Sequence, residues 1–312
     1  MLGSTRAQRK GLVFLTILKS TAVLIRSRLE LIFAWTWVTA VSCLIAGRGF
    51  PLIKPTLMSI FAMFFISASV YLYNDISDKE MDTLNPTKKN RPLLSDTVSI
   101  KDATKIIYLL GLLGLTITLF INTYSFIFSL LYLFIFSIYS HPKIRTKTMF
   151  LGKEFTIFLG WILCSLVGSY AVVGTWQINV LYASLLCAIW SFSTFPIIAD
   201  AGDIEEDRLY GVKNLSVLLS WKRKVQLLVF GFLFVMTITP LTYVQLGFNM
   251  ILPIFTVASS LIFLRLIYPK IVGFENMEYR ERTSAYPKIR KLGHIYYFLL
   301  AIAFIFGSIN II

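Results

Sequence analysis

Charge is scarce in this chain. Only 15% of its 312 residues are Asp, Glu, Lys or Arg, where soluble domains carry about 25%, and the shortage excludes an ordinary soluble domain. Histidine is scarcer still. His141 and His294 stand far apart, with no partner pattern for zinc or for a nucleophilic triad. The three cysteines, Cys43, Cys164 and Cys187, lack metal-ligand spacing and fall inside apolar runs, so they read as small packing residues. Strand-like alternation is missing too: FIFSLLYLFIFSIY (126–139) does not switch between apolar and polar as barrel strands do. No small-residue cleavage site follows the basic N-terminus, so no removable signal peptide is read there.

What is present is apolar surface. The chain is 56% hydrophobic with a mean hydropathy of +0.73. A membrane-crossing helix needs about 20 mostly apolar residues. Nine such runs are expected, near 29–47, 52–73, 104–122, 124–139, 155–173, 178–199, 226–244, 249–264 and 293–311. The fold class is therefore an all-α integral membrane protein with nine transmembrane helices in a bundle. The first 28 residues form a basic N-terminal segment, in which 12–28 reads either as a helix on the membrane surface or as a solvated tail.

The charge that exists is unevenly placed. The net charge is +14, and of the 30 basic residues all but Arg48 and Lys54 fall in the N-terminal segment or around the loops after spans 2, 4, 6 and 8. Cytoplasmic loops collect Lys and Arg, so the N-terminus and the long loops are expected in the cytoplasm and the C-terminus on the opposite side. The basic excess reads as topology and attraction to anionic membrane lipid, with no nucleic-acid partner.

Acid is more concentrated. Nine of the sixteen acidic residues lie in two short windows: Asp75, Asp78, Glu80 and Asp82 after span 2, and Asp200, Asp203, Glu205, Glu206 and Asp207 after span 6. Asp75, Asp78 and Asp82 stand at i, i+3, i+7, and so do Asp200, Asp203 and Asp207. On a continued helix those offsets share one face, where like charges repel. A cation should offset them, and Mg²⁺ suits carboxylate oxygens combined with substrate phosphates. Two such faces across a cavity would grip a diphosphate between metal ions. Basic residues follow: Lys88, Lys89 and Arg91 after the first cluster, Arg208 and Lys213 after the second, and Arg145, Lys147 and Lys153 between spans 4 and 5. Arg offers diphosphate a bidentate donor and Lys a point charge. A weak duplication runs alongside, about 29–139 and 155–264 with a ninth helix to follow. Each half has KN (89–90, 213–214) and then LLS (93–95, 218–220) after its acidic window.

These motifs resemble the UbiA superfamily of intramembrane prenyltransferases. NDISDKEMD (74–82) is similar to its first signature, Asn-Asp-x-x-Asp-x-x-x-Asp, and DIEED (203–207) to its second, with Asp200 as the upstream aspartate. GVKNLSVLL (211–219) resembles the Gly-x-Lys-Thr-Leu-Pro segment, with Asn214 and Ser216 in place of Thr and Pro. YSHPKIRTK (139–147) resembles Tyr-Ser-x-Pro-x-x-Arg-x-Lys. The resemblance implies a nine-helix bundle around a central cavity open to lipid, under cytoplasmic cap loops. It implies Mg²⁺ and diphosphate at Asn74, Asp75, Asp78, Asp82, Asp200, Asp203 and Asp207, with the aspartates 75, 78, 82, 203 and 207 catalytic. Lys88, Arg91, Arg145, Lys147, Arg208 and Lys213 become diphosphate donors, and Tyr139 lines the pocket. Many members carry Arg-Pro at the start of helix 1; IRSRLEL (25–31) stands there instead, with Arg26 or Arg28 as substitute.

The implied chemistry is transfer of an isoprenoid from a prenyl diphosphate to a lipid-soluble or amphipathic acceptor, of aromatic, quinone-precursor or glycerol-phosphate type. Phosphoribosyl transfer to a polyprenyl phosphate, to which the basic NPTKKNRP (85–92) is suited, and acceptor-independent terpene cyclisation are the alternatives. A transporter would place ionisable groups at mid-span, and none lies near the middle of an expected span. Chain length of the tail, the acceptor and the oligomeric state are not legible.

Overall fold

The computed structural model describes residues 6–83, 88–277 and 279–309. Among them, nine helices are long and apolar enough to cross a membrane. They are α1 (Arg6–Ala46), α2 (Ile53–Ser77), α4 (Ile100–Ile121), α5 (Thr123–Ser140), α6 (Gly152–Val173), α7 (Ile178–Ile198), α10 (Trp221–Thr242), α11 (Ile251–Val272) and α12 (Tyr279–Ser308). Three short helices lie between them: α3 (Lys79–Asp82), α8 (Ile204–Leu209) and α9 (Leu215–Leu218). In lipid the backbone must satisfy its own hydrogen bonds, so aromatic and β-branched runs that favour strands in water become helices.

All nine expected spans are present, with longer helices at three places. Residues 12–28 are neither a surface helix nor a tail. They continue α1 without a break, and the span runs Ile17–Ala46. No Gly or Pro occurs between residues 12 and 46, so nothing ends the helix where hydropathy falls. Hydropathy marks where lipid stops, whereas helix termination needs a breaker or a cap. The longer α1 carries Arg28 and Glu30 within its span, so ionisable groups are not confined to the loops. In the same way α11 continues to Val272, and most of the polar segment 274–291 is the start of α12. Residue 278 and the end of the expected ninth span, 310 and 311, lie outside the described residues.

The contacts α1–α2, α2–α4 and α4–α5 have counterparts in α6–α7, α7–α10 and α10–α11, and α1 against α6 joins the two sets. That seam is made of small residues, as helix pairs in lipid favour. A Cβ on Gly168 would lie 2.7 Å from the Thr39 carbonyl oxygen, so only glycine permits this approach. Beside it the Ser42 and Ser165 hydroxyls are 3.0 Å apart and the Cys43 thiol donates to the Gly168 carbonyl. All three cysteines are buried and free, as packing residues should be.

One end of the bundle is tied by Asn249. Its backbone N–H donates to the Gly307 carbonyl, and its side-chain amide donates to Phe306 and Ile309. Arg48 lies at this end, donating to the Gly247 carbonyl. The acidic turns lie at the other end.

Candidate active site

The site grows from two helix ends built alike. α2 stops at Ser77 and α3 starts at Lys79, with Asp78 between them; Asp203 immediately precedes α8, at the end of a five-residue turn after α7. The sequence places each triplet on one continuous helix. In the structure α2 breaks at Asp78, whereas α7 already ends at Ile198 and a turn over 199–203 leads into α8. Beyond each break a short helix follows, and Asp82 N–H and Asp207 N–H each bond the carbonyl four residues back at 2.8 Å. The triplets keep near-helical spacing while the break turns the chain.

The first triplet is almost closed to solvent: Asp75 and Asp82 are 4% exposed and Asp78 is 7%. Buried carboxylates require partners, and each has them. Arg28 Nε donates to both Asp75 oxygens at 2.8 and 3.0 Å, and its Nη2 donates as well. Arg91 reaches Asp82 and lies 3.5 Å from Asp75. Asp78 accepts from Arg145 at 2.8 Å, from Lys147, and from the Asn74 amide at 2.9 Å. Arg145 is held in left-handed backbone, φ 48°, an unfavourable state for a side-chain-bearing residue that persists where surroundings impose it. Lys147 also sits 6.0 Å from the Tyr139 ring centre.

The second triplet is more open. Asp200 is buried with Lys153 and accepts from the Ser216 hydroxyl at 3.1 Å. The Asp203 side chain is 43% exposed. Asp207 accepts from the Asn214 amide at 2.8 Å. Burial pushes the Asp207 carboxyl up to about 6, although the Lys153 charge and the Asn214 amide pull the other way.

The clusters meet at Lys88. Its ammonium lies 2.9 Å from Asp82, 2.8 Å from Glu206 and 3.6 Å from Asp203. Burial works against this charge, yet Asp203 and Asp82 hold the ammonium above its ordinary pKa. Lys147 goes the other way: burial lowers it despite Asp78.

Aromatic side chains pack close to the carboxylates. Tyr71, one helical turn from Asp75, accepts from the Trp35 indole at 2.7 Å. Trp35 meets Tyr132, Phe136 and Trp161 edge-on at 5.4–6.0 Å, and Trp161 meets Tyr297 at 5.2 Å. A Cβ on Gly160 would come within 2.7 Å of the Trp35 ring, so glycine there lets the rings close up. A wide apolar groove of about 780 Å³ between α2 and α4 lies at the other end of α2, by Ile53 and Lys54, away from the acid.

Comparison with known proteins agrees with this architecture. The UbiA prenyltransferase family matches residues 35–292.

The chain belongs to the UbiA prenyltransferase family.

It is an integral membrane enzyme of the prenyltransferase class. A digeranylgeranylglyceryl phosphate synthase of Sulfurisphaera tokodaii is 27% identical over 248 residues, covering 78% of this chain and 84% of the relative. A 4-hydroxybenzoate octaprenyltransferase of Shewanella denitrificans is 27% identical over 202 residues, 62% of this chain and 67% of the relative. A UbiA homologue of Archaeoglobus fulgidus solved with GPP and Mg²⁺ shares the fold. Its TM-score is 0.64 at 19% identity, covering 89% of this chain and 99% of that one.

The donor set of this prenyltransferase fits a hard divalent cation. It consists of carboxylate oxygens, which Mg²⁺ prefers, and Lys88 marks a point where one positive charge touches both clusters. Asp207 adds a half-buried carboxylate whose contact partner is an amide rather than a cation. Among the described residues no three acidic, histidine or cysteine side chains are already drawn to metal-ligand distance; ammonium and guanidinium groups stand between them.

Most of the expected site residues come together. Arg28, Asp75, Arg91, Asp82, Lys88 and Asp203 form one chain of ion pairs. Asn74, Arg145 and Lys147 gather on Asp78, with Tyr139 beside them. Asp200 and Asp207 are joined through Ser216 and Asn214. Two residues join none of these groups. Arg208 is exposed and pairs with Glu205 at 3.3 Å, one turn away on α8. Lys213 is exposed, although its backbone N–H bonds the Thr148 carbonyl at 3.1 Å and ties the 211–213 turn to the Arg145 segment. Of the basic segment 85–92, residues 85–87 lie outside the described residues.

Four contributors were not assigned from sequence. Glu206 was visible as a charge but had no role that spacing could supply, whereas Lys153, counted with the basic residues offered to diphosphate, is paired with Asp200. Asn214 and Ser216 stood out as departures from the family pattern, and both contact the second triplet. Tyr286 of α12, which donates to the Ala199 carbonyl just before Asp200, left no local signal.

Proposed function

We propose that this enzyme transfers an isoprenoid chain from a prenyl diphosphate to an acceptor within the membrane, using Mg²⁺ at the paired acidic turns. The observation that carries the reading is Lys88, whose single charge is shared by Asp82 of the first cluster and Asp203 and Glu206 of the second. A site that holds one cation between two carboxylate clusters, ringed by Arg and Lys, suits a metal-bound polyanion. Asn74, Asp75, Asp78, Asp82, Asp200, Asp203 and Asp207 would hold the metal. Bound there, Mg²⁺ would neutralise charge on the departing diphosphate as a Lewis acid.

The chain's own groups do the rest. Arg28, Arg91, Arg145, Lys88 and Lys147 are placed to bind diphosphate oxygens once metal takes over the carboxylates they now neutralise, and to stabilise the negative charge as the C–O bond breaks. The allylic cation left behind must be kept from water. Trp35, Tyr132, Phe136 and Trp161 are all under 8% exposed and offer ring faces worth ~0.5–2 kcal/mol each to a cation. The apolar tail enters from the bilayer while the diphosphate stays at the rim. The Lys and Arg of the surrounding loops support a cytoplasmic position for that rim.

The relatives' names put a glycerol-phosphate and a hydroxybenzoate among the acceptors to test. Membranes holding the protein, given labelled geranylgeranyl diphosphate, Mg²⁺ and either geranylgeranylglyceryl phosphate or 4-hydroxybenzoate, are expected to form a prenylated product with release of diphosphate. Product without any acceptor would instead assign a cyclase. Product only with phosphoribosyl diphosphate and a polyprenyl phosphate would assign sugar transfer.

A further inference from the structure

We infer that Glu154 is a positioning residue for the second acidic cluster, acting through the α9 turn on Asp200 and Asp207. The inference rests on the prenyl-transfer reading above and adds to it the element that sets the geometry of one half of the site.

Glu154 lies in the first turn of α6 and is 7% exposed. Its Oε1 accepts the Leu215 backbone N–H at 2.7 Å, across 61 residues of sequence. Its Oε2 is buried and has no hydrogen-bond partner among the described residues. A carboxylate is a costly way to occupy such a place, so a packing role alone does not account for it.

Leu215 is the first residue of α9, and its neighbours on both sides reach the acidic cluster. Asn214 caps the helix, its Oδ1 accepting Val217 N–H at 3.0 Å, while its amide donates to Asp207 at 2.8 Å. Ser216 is placed to donate either to Asp200 at 3.1 Å or to the Asn214 side-chain Oδ1 at 2.7 Å. Glu154 thus grips the one backbone group between the two side chains that orient Asp200 and Asp207. Four residues cannot stabilise a helix by themselves, so α9 needs an external hold. The hold comes from the first turn of α6, where Lys153, the residue before Glu154, pairs with Asp200. Both sides of the second cluster are therefore referred to the start of α6.

The test compares Glu154→Ala, Glu154→Gln and Leu215→Pro in the purified full-length protein. Gln keeps an acceptor for the Leu215 N–H. Pro removes that N–H from the other side at a first helical position, where proline is tolerated, after a residue already extended at ψ 170°. Two quantities are read: Mn²⁺ affinity in the presence of inorganic pyrophosphate, by EPR of free Mn²⁺, and the Mg²⁺ dependence of turnover.

Glu154→Ala and Leu215→Pro are each expected to weaken Mn²⁺ binding by about tenfold, the scale of one buried hydrogen bond. Saturating Mg²⁺ should restore most of the turnover. Their double variant should be no worse than either alone, because both remove one interaction. Glu154→Gln should stay within about threefold of wild type. Unchanged Mn²⁺ affinity in Leu215→Pro, additive losses in the double variant, or equal damage from Gln and Ala would each overturn the inference while leaving the prenyl-transfer reading intact. A wild-type protein that binds no Mn²⁺ with pyrophosphate would overturn both. Should Glu154→Ala fail to fold, Leu215→Pro and Glu154→Gln decide the matter.

Discussion

Asp78 and Asp203 share one backbone conformation, φ −104°, ψ 6° and φ −109°, ψ 1°, each as the residue that caps the start of a short helix. Their surroundings differ. Asp78 is 7% exposed and neutralises Arg145 and Lys147, whereas the Asp203 side chain is 43% exposed and has Lys88 at 3.6 Å.

Alanine at either position is therefore expected to abolish diphosphate release from an allylic substrate, with different costs to the fold. Asp78→Ala strands two cations in a buried site and should destabilise by about 3–5 kcal/mol. Asp203→Ala removes a partly solvated carboxylate and should cost under about 1 kcal/mol. Thermal unfolding in detergent separates the two, and equal stability loss would contradict the asymmetry.

Lys88 occupies the place a metal would share between the clusters. Replacing it by Gln removes that competitor. In the absence of diphosphate, divalent-cation affinity is expected to rise several-fold, while KM for the prenyl diphosphate rises by about tenfold as a charged donor is lost. Titration of Mn²⁺ into the substrate-free protein checks the first effect and initial rates check the second. A variant that binds both more weakly would place Lys88 outside the shared site.

The Asp207 carboxyl, raised by burial to about 6 from an ordinary 3.8, gives a pH dependence of definite sign. Without metal the folded state holds this proton more tightly than the unfolded chain. The fold should then gain stability as pH falls from about 6 toward 4, by up to ~3 kcal/mol, and have none of that gain well above pH 6. Metal needs the ionised form, so Mg²⁺ affinity should fall about tenfold per unit below pH 6. Melting curves with and without Mg²⁺ between pH 4.5 and 7.5, all about these limits, would show the two trends crossing; parallel curves would sink the assignment.

Trp35 and Gly160 fit against each other. A methyl group at Gly160 would meet the indole at 2.7 Å. Gly160→Ala should therefore disturb the ring cluster beside the carboxylates and lower kcat by about tenfold or more through misplacement of the reacting centre, with Mg²⁺ half-saturation nearly unchanged. Steady-state kinetics at varied Mg²⁺ distinguishes this from damage to the metal site, in which half-saturation would move.

Much of the fold was legible because it depends on local quantities. Hydropathy over about 20 residues located all nine spans, and the spacing of Asp75, Asp78 and Asp82 located the first acidic turn. Helix ends were less legible where no breaker stands: α1 runs on through residues 12–28, and α12 takes in most of 274–291. The basic residues were found by composition, but their roles were not. Arg208 follows the second cluster as closely in sequence as any donor, yet on α8 it sits one turn from Glu205 and pairs there. Arg28 is 47 residues from Asp75 and makes a bidentate bond with it.

The sequence alone determined nine membrane-crossing runs and two acidic clusters at the ends of spans, because burial in lipid and helical spacing are properties of neighbouring residues. The tertiary structure alone decided which charges meet. Lys88 joins Glu206 across 118 residues, and Glu154 holds Leu215 across 61. Such contacts follow from how helices cross in the bundle, where a small rotation of one helix about its axis exchanges the partners of every side chain it carries.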